Sequence, residues 1–514
     1  MDTTKRDPME FCTFTSPPTV REYLERGEAL VGEHITVTGR LARVRDQRKF
    51  VFGELGDGTE SAGLQFIYHF PESDDPDDRS GVPAGILDMI ERAKTGSSVT
   101  LSGTVVKAPE RATQLVELVL DDATVISIVR DPDAYPYGRS AMKRRTPEVW
   151  AEYLKSIRPD VYRRFRHKIM AAIMRIRGEA AAELVLFFRR LGFFKADSPL
   201  FTKSDCEGAG EMFQVTTLPL DDVPKTKDGH VDYSKDFFGC EAHLTVSGQL
   251  EAEALAQVLG KVFTFGPTFR AEHSQTSRHL SEFWMLEPEL QFTEGDVEAR
   301  FHRLMDLEES MVKCVIAHLL DKCRGDLEFL DSKISPGLVD RLTAVRDSPF
   351  GRVPYTECID ILQTAVADGH EFEDTDIFWG MDLASEHERY LCETVFAKPM
   401  FVTHYPQDLK SFYMKADDGC EADRVTCQAV DLLVPGIGEL CGGSMREDDP
   451  DKLVAVMHKK GVPTEDLQWY IDLRYDGGIP TGGFGLGFTR FVAFVTGATS
   501  VRDCIPWPKY YTHI

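Results

Sequence analysis

Residues 265–289 read Phe265-Gly-Pro-Thr-Phe-Arg-Ala-Glu-His-Ser-Gln-Thr-Ser-Arg-His-Leu-Ser-Glu-Phe-Trp-Met-Leu-Glu-Pro-Glu289. Two aromatic-rich runs flank a polar loop, the pattern of an antiparallel hairpin. Side chains alternate across a strand, so Arg270 and Glu272 project from one face on either side of Ala271. Phe283 and Glu287, four apart on the returning run, likewise share a face. A guanidinium, a carboxylate and an aromatic plane on one sheet can hold a nucleoside phosphate: the arginine forks onto phosphate oxygens and the ring stacks a base. A hairpin whose charges only face solvent would carry the same residue types.

The segment resembles motif 2 of the class II aminoacyl-tRNA synthetases, most closely the asparaginyl-tRNA synthetases, where it reads FGPTFRAE, a loop, then TSRHLxEFWM. The resemblance implies an α+β fold: an N-terminal OB-fold β-barrel, then a class II catalytic domain on an antiparallel sheet. It implies ATP held by Arg270, Glu272 and Phe283. Residues Gly482-Gly-Phe-Gly-Leu-Gly-Phe-Thr-Arg490 resemble motif 3, usually G-x-G-x-G-x-E-R. Its glycines allow close backbone approach to adenine and ribose, and Arg490 would hold the terminal phosphates. Arg270 and Arg490 are the implied catalytic residues, acting by charge stabilisation. The block Asp431–Glu447 resembles the one preceding motif 3 in the family. It implies Asp431 and Glu439 as the carboxylates that hold Mg²⁺ on ATP, an ion that takes one or two protein carboxylates besides phosphate oxygens.

The same resemblance implies an asparagine pocket. Leu244–Leu250 matches the family's pocket segment, with Ser247 and Gln249 facing the substrate. Asp205–Phe213 matches a mobile loop whose Glu207 would help hold the ammonium. Arg446 would donate to the side-chain carbonyl, and Glu287 would accept from the amide NH₂. Sister aspartyl enzymes carry a lysine three residues after the pocket glutamine, whereas this chain has Ala252. A site without that cation suits a neutral amide and rejects an unpaired carboxylate. His387 lies between two glutamates, but no second histidine sits at ligand spacing, so that segment reads as a salt-bridged helix.

The N-terminal part reads as short strands from His34 to about residue 128, five runs suited to a small barrel. Arg45, Gln47 and Lys49 lie between the first two runs and match the family's basic turn, which implies contact with tRNA phosphates and unstacked bases. A solvated basic turn is the alternative. The domain expectation is a barrel over residues 1–130, a hinge over 131–165 and a catalytic domain over 166–514. Arg164–Leu191 has helical periodicity and Pro199 follows it. That stretch resembles motif 1 and implies a homodimer; a helix buried within one subunit fits the periodicity equally well.

Composition narrows the field. The 514 residues carry a formal net charge of −25, so non-specific adhesion to nucleic acid is disfavoured and any tRNA must meet local basic patches. Eleven cysteines occur with no C-x-x-C pair, which argues against a structural zinc or a disulfide framework. No signal-like apolar segment opens the chain and no run of eighteen apolar residues appears, so no membrane span is expected and the cytoplasm is the expected location. No Rossmann fingerprint or P-loop is present.

The implied reaction is ATP-dependent formation of asparaginyl-adenylate, then transfer to tRNA(Asn). Several positions depart from the family: Thr489 replaces the motif 3 glutamate, His273 and Gln275 replace loop asparagines, and the tail has Lys509 and diverges beyond it. They keep open a paralogue that passes the adenylate to ammonia or a small amine. A catalytically dead tRNA-binding module is the other rival, and intact Arg270 and Glu439 argue against it.

Overall fold

The computed structural model describes residues 12, 14–75, 78–112, 114–133, 135, 137, 146–203, 212–274, 276–421 and 424–514. The chain divides into two compact units, Met1–Arg145 with Phe165–Ala172, and Thr146–Arg164 with Ile173–Ile514.

The first unit contains β1 (His34–Asp46), β2 (Phe50–Gly56), β3 (Leu64–His69), α1 (Ala84–Arg92), β4 (Ser98–Lys107) and β5 (Val116–Ser127). The strands close into a barrel in the order β1-β2-β3-β5-β4. Alternation drives closure: in β4, Val99, Leu101, Gly103 and Val105 are buried while Thr100, Ser102 and Thr104 between them are only partly so. Val37, Val51, Leu55, Phe66 and Leu118 fill the same interior, and Ile86 and Met89 of α1 join it.

The second unit continues with α2 (Lys168–Arg190), which begins in the first, and β6 (Phe194–Ala196). Three short strands follow, β7 (Phe201–Thr202), β8 (Gln214–Val215) and β9 (Ala242–Leu244). Next come α3 (Gln249–Leu259), β10 (Lys261–Phe269), β11 (Glu282–Gln291) and α4 (Val297–Lys322). The remainder used below is β12 (Gly351–Pro354), α5 (Ser385–Arg389), β13 (Met400–Pro406), β14 (Thr426–Val434), β15 (Gly438–Met445), β16 (Thr481–Gly487) and α6 (Phe488–Thr496). Eight strands form one sheet in the order β12-β13-β14-β15-β16-β11-β10-β6. Its pairs are antiparallel except β12 with β13 and β6 with β10. This is the α+β architecture expected from the sequence, with the barrel ahead of it.

The two faces of the sheet differ in what they carry. A Cβ on Gly443 would lie 3.2 Å from Glu308 Oε1 of α4, whereas one on the neighbouring Gly442 would lie beside Asp431 and Glu439. Adjacent strand residues point to opposite faces, so α4 covers one side and the acidic residues stand on the other. Among the described residues, no helix is long and apolar enough to cross a membrane.

Candidate active site

β10 and β11 pair with Thr264 opposite Glu287 and Thr268 opposite Phe283. The ladder runs one step past β10, where the Arg270 amide donates to the Ser281 carbonyl (3.0 Å). Alternation therefore sets Thr264, Thr268 and Arg270 on the face that carries Phe283 and Glu287. The Arg270 guanidinium carbon lies 5.6 Å from the centre of the Phe283 ring. Its Nη1 is 3.9 Å from Glu272 Oε1, and both side chains are about one third exposed. The hairpin thus groups Arg270, Glu272 and Phe283 with room for a ligand to reach them.

Further along the same face the groups are buried and their hydrogen bonds can be counted. The Ser247 hydroxyl donates to Glu287 Oε1. Glu287 Oε2 accepts from the Gly248 amide (3.0 Å) and the Thr264 hydroxyl (3.0 Å). A carboxylate offers about four acceptor positions, so one remains on Oε1. Gln249, the first residue of α3, has its Nε2 buried with no acceptor among the described residues. An unsatisfied buried donor costs about 1–3 kcal/mol, which an acceptor on a ligand would recover.

Arg446 is 2 % exposed. Its Nε and Nη2 donate to the two oxygens of Glu289, and its Nη1 donates to Ser444 Oγ (2.6 Å). Burial disfavours the cation, but the charge and hydrogen bonds of Glu289 outweigh it and hold the Arg446 pKa above the ordinary arginine value. Three of five guanidinium N–H groups are engaged, leaving two. Glu289 is a residue that sequence reasoning missed, although it lies two positions beyond Glu287 on the same strand face. Glu253 was missed too. It accepts from Tyr470, from Arg474 (2.5 Å) and from Thr481 (2.8 Å). Burial, together with the nearby charges of Glu253 and Glu287, pushes the Glu289 carboxyl up to about 7 against the pull of Arg446. A Cβ on Gly483 of β16 would lie 2.2 Å from Glu289 Oε1, so this strand needs a glycine to admit the carboxylate.

At the other end, oxygens of Glu439 and Asp431 converge: a Cβ on Gly442 would meet them at 3.2 and 3.3 Å. The second Asp431 oxygen accepts from Lys410 (2.5 Å). Arg490, in the first turn of α6, donates to the Glu439 carbonyl (3.2 Å) and lies 3.5 Å from its carboxylate. Thr489 is buried and its hydroxyl has no partner among the described residues. Arg490 is thus oriented by Glu439 and not by its sequence neighbour.

Glu388, also missed, accepts from the Glu439 amide (3.3 Å). Burial, then the charges of Glu439 and Asp431, push its carboxyl up to about 8. Among the described residues, no three His, Cys, Asp or Glu side chains are grouped so as to hold an ion alone. Two converging carboxylate oxygens in an acid-rich environment nevertheless fit a magnesium ion that completes its shell with phosphate and water. His387 is fully buried, accepts from the Ala384 amide (3.2 Å) and faces the Asp374 carbonyl (3.1 Å), so it fastens α5. Glu207 and Gln275 lie outside the described residues.

In the first unit, Gln47 and Lys49 are exposed at the β1–β2 turn and Arg45 is half-buried. The turn is closed by the Gln47 amide donating to the Phe50 carbonyl (3.0 Å). Aromatic surface adjoins it: Arg43 lies over Phe52 and Arg79 over Phe70, at 5.2 and 3.9 Å from the ring centres.

A family model described as tRNA synthetases class II (D, K and N) matches residues 157–511. The asparagine–tRNA ligase of Porphyromonas gingivalis is 43% identical over 482 residues, 93% of this chain and 95% of the relative. That of Clostridium novyi is 41% identical, covering 95% of this chain and 97% of the relative. Asparaginyl-tRNA synthetase from Pyrococcus horikoshii, solved with asparaginyl-adenylate, superposes with a TM-score of 0.76 at 28% identity, over 98% of this chain and 100% of that one. Asparaginyl-tRNA synthetase from Entamoeba histolytica matches in fold, with a TM-score of 0.73 at 23% identity, over 94% of this chain and 97% of that one.

Proposed function

Because this chain belongs to the class II tRNA synthetases (D, K and N), we propose a division of labour among its residues for activating asparagine with ATP and transferring it to tRNA(Asn). The asparagine carboxylate attacks the α-phosphate and pyrophosphate leaves. The terminal hydroxyl of the tRNA then attacks the acyl carbon and AMP leaves. No side-chain nucleophile is required. Positioning and charge stabilisation do the chemistry.

In this reading Phe283 stacks the adenine, and Arg270 forks onto the phosphate that is attacked. Glu272 orients Arg270, and Arg490 holds the terminal phosphates. Asp431 and Glu439 would hold a magnesium ion, which when bound neutralises charge on the phosphates. Ser247 fixes Glu287, Gln249 donates to the amino acid, and Glu207 takes the ammonium. Arg45, Gln47 and Lys49 meet the tRNA from the barrel. The enzyme acts in the cytoplasm as a homodimer.

The observation that carries the substrate assignment is the hydrogen-bond inventory of the pocket. Glu287 has one acceptor position left and Arg446 has two donors left. A carboxamide, which both donates and accepts, complements that pair. A carboxylate would bring a second negative charge against Glu287 without the lysine that the aspartyl enzymes supply. Transfer to a small amine is not favoured, since relatives named as tRNA ligases match along almost their whole length.

The test is pyrophosphate exchange and charging by the purified protein with labelled amino acid and total tRNA, with and without added amines. Exchange is expected with asparagine and not aspartate, and label is expected in tRNA. Exchange driven by aspartate would remove the pocket reading; label in the amine alone would remove the tRNA reading.

A further inference from the structure

A cavity of about 580 Å³ shares no side chain with the site described above. The helix Leu338–Asp347 supplies Leu342 and Val345 to its wall, the β14–β15 turn supplies Ile437, and α6 supplies Phe494. Small-molecule sites are mostly apolar and about 300–1,000 Å³ in volume, and this cavity fits both measures.

Three charged side chains stand among the apolar ones. Glu393 is committed, since its Oε1 accepts from the Gly436 amide (2.7 Å). Arg341 is partly committed, donating to the Pro336 carbonyl (2.7 Å) and the Ser335 hydroxyl (2.5 Å). Lys398 is half-buried, and among the described residues its ammonium has no hydrogen-bond or ion-pair partner. A half-buried ammonium against apolar walls has lost part of its water and gains from an anion. The chain carries a net charge of −25, yet here two cations line an apolar space with one carboxylate. That combination suits an anion with an apolar body.

The backbone that presents Lys398 is unusual. α5 runs on into a π-helical segment, Tyr390–Val395, a form that recurs at functional sites. Ala397 then takes a left-handed φ of 51°, which costs a residue other than glycine energy and persists only where its surroundings hold it. The Phe396 amide donates to the Leu391 carbonyl and the Lys398 amide to the Cys392 carbonyl, both at 3.0 Å, and these bonds fix the turn.

Three elements lead from the cavity to the acidic end of the site. Ile437 precedes Glu439 by two residues on the β14–β15 hairpin. Phe494 follows Arg490 by four residues on α6, about one helical turn. Glu393 follows Glu388 by five residues along continuous helix. Glu388 and Arg490 are both hydrogen-bonded to Glu439, so a ligand that moves these walls moves a connected group.

We propose that this cavity is a regulatory site for an amphipathic carboxylate, an apolar chain bearing one carboxyl group, anchored by Lys398 and coupled to ATP binding through α6 and the β14–β15 turn. The coupling rests on Glu439 and Arg490 holding ATP; the binding itself does not.

Decanoate is the probe and decanol its uncharged counterpart, each titrated calorimetrically into wild type, Lys398→Gln and Ala344→Trp. Decanoate should saturate one site per chain in wild type. Its Kd should rise roughly tenfold in Lys398→Gln, as for loss of a hydrogen bond to a charged group, while decanol should bind both proteins equally. Ala344 is exposed at the cavity, and tryptophan there should exclude both ligands. No saturable decanoate binding overturns the site. Wild-type affinity for decanoate in Lys398→Gln overturns the anchor, and in Ala344→Trp it places the ligand elsewhere; if Ala344→Trp does not fold, Lys398→Gln decides. Saturating magnesium ATP should shift the wild-type Kd for decanoate by about fivefold or more, the scale of a coupling between sites. An unchanged Kd, with ATP shown by its own titration to bind, overturns the coupling. Failure of ATP to bind at all would instead overturn the reading of Glu439 and Arg490.

Discussion

Glu287 and Glu289 stand two positions apart on one face of β11, and their neighbours give them different tasks. Glu289 is consumed by Arg446, whereas Glu287 is steadied by Ser247, Gly248 and Thr264 and keeps one lone pair for a ligand. Replacing Glu287 by glutamine keeps the volume and removes the charge. A hydrogen bond to a charged acceptor is worth about 1 kcal/mol more than a neutral one, so the ratio of kcat/KM for asparagine over aspartate should fall by about fivefold. Exchange assays with each amino acid measure that ratio; an unchanged ratio would place discrimination elsewhere. Arg270, Glu272 and Phe283 were legible in the sequence because one hairpin carries all three. Glu289 as the partner of Arg446 was not, because 157 residues separate them and only the sheet order β15-β16-β11 brings them together. The same holds for Glu388, which comes from a helix and meets Glu439 51 residues later.

Among the elements, the barrel strands were readable from alternation, with their ends displaced. β1 runs on to Asp46 and so contains Arg45, expected between the first two runs, because its pairing moves from β4 to β2 across Arg40. α1 was overlooked: only Ile86 and Met89 are buried in it, too short an apolar stripe for periodicity to register. In the glycine-rich β16, Gly483 makes room for a neighbouring carboxylate, a purpose that the strand's own sequence cannot disclose. The β1–β2 turn supports a prediction at this scale. Changing Arg45 and Lys49 together to alanine should weaken tRNA charging and flatten its salt dependence, since each phosphate contact contributes to the slope. Pyrophosphate exchange should not change. Equal charging by wild type and double mutant across salt concentrations would remove the barrel turn from the tRNA interface.

At the scale of the whole molecule, the division between compact units falls inside α2, and the helix Pro147–Ile157, within the expected hinge, belongs to the second unit. Composition could not reveal this, because a linker and a packed helix both tolerate the prolines and charges found there. Among the described residues, β6 ends the large sheet and pairs only with β10, which leaves its other edge unpaired. Leu186, Leu191 and Phe194 around it are 46 %, 44 % and 49 % exposed. An open edge beside exposed apolar side chains is a liability unless covered, and a second copy meeting residues 166–200 would cover it. Light scattering at micromolar concentration should therefore report twice the 57.8 kDa chain mass, and Phe194→Asp should shift the population toward monomer. A monomeric wild type would rule the dimer out. The C-terminus, fastened to the motif 2 hairpin where the Ser281 amide donates to the Lys509 carbonyl (2.7 Å), has a practical bearing on all of these experiments. Ile514 is 97 % exposed and lies three residues past Tyr511, whose ring is 4.8 Å from that of His273. A purification tag fused after Ile514 would emerge over the motif 2 loop and crowd the approach to Arg270. Recombinant protein for charging assays is better made with its affinity handle at the other end of the chain.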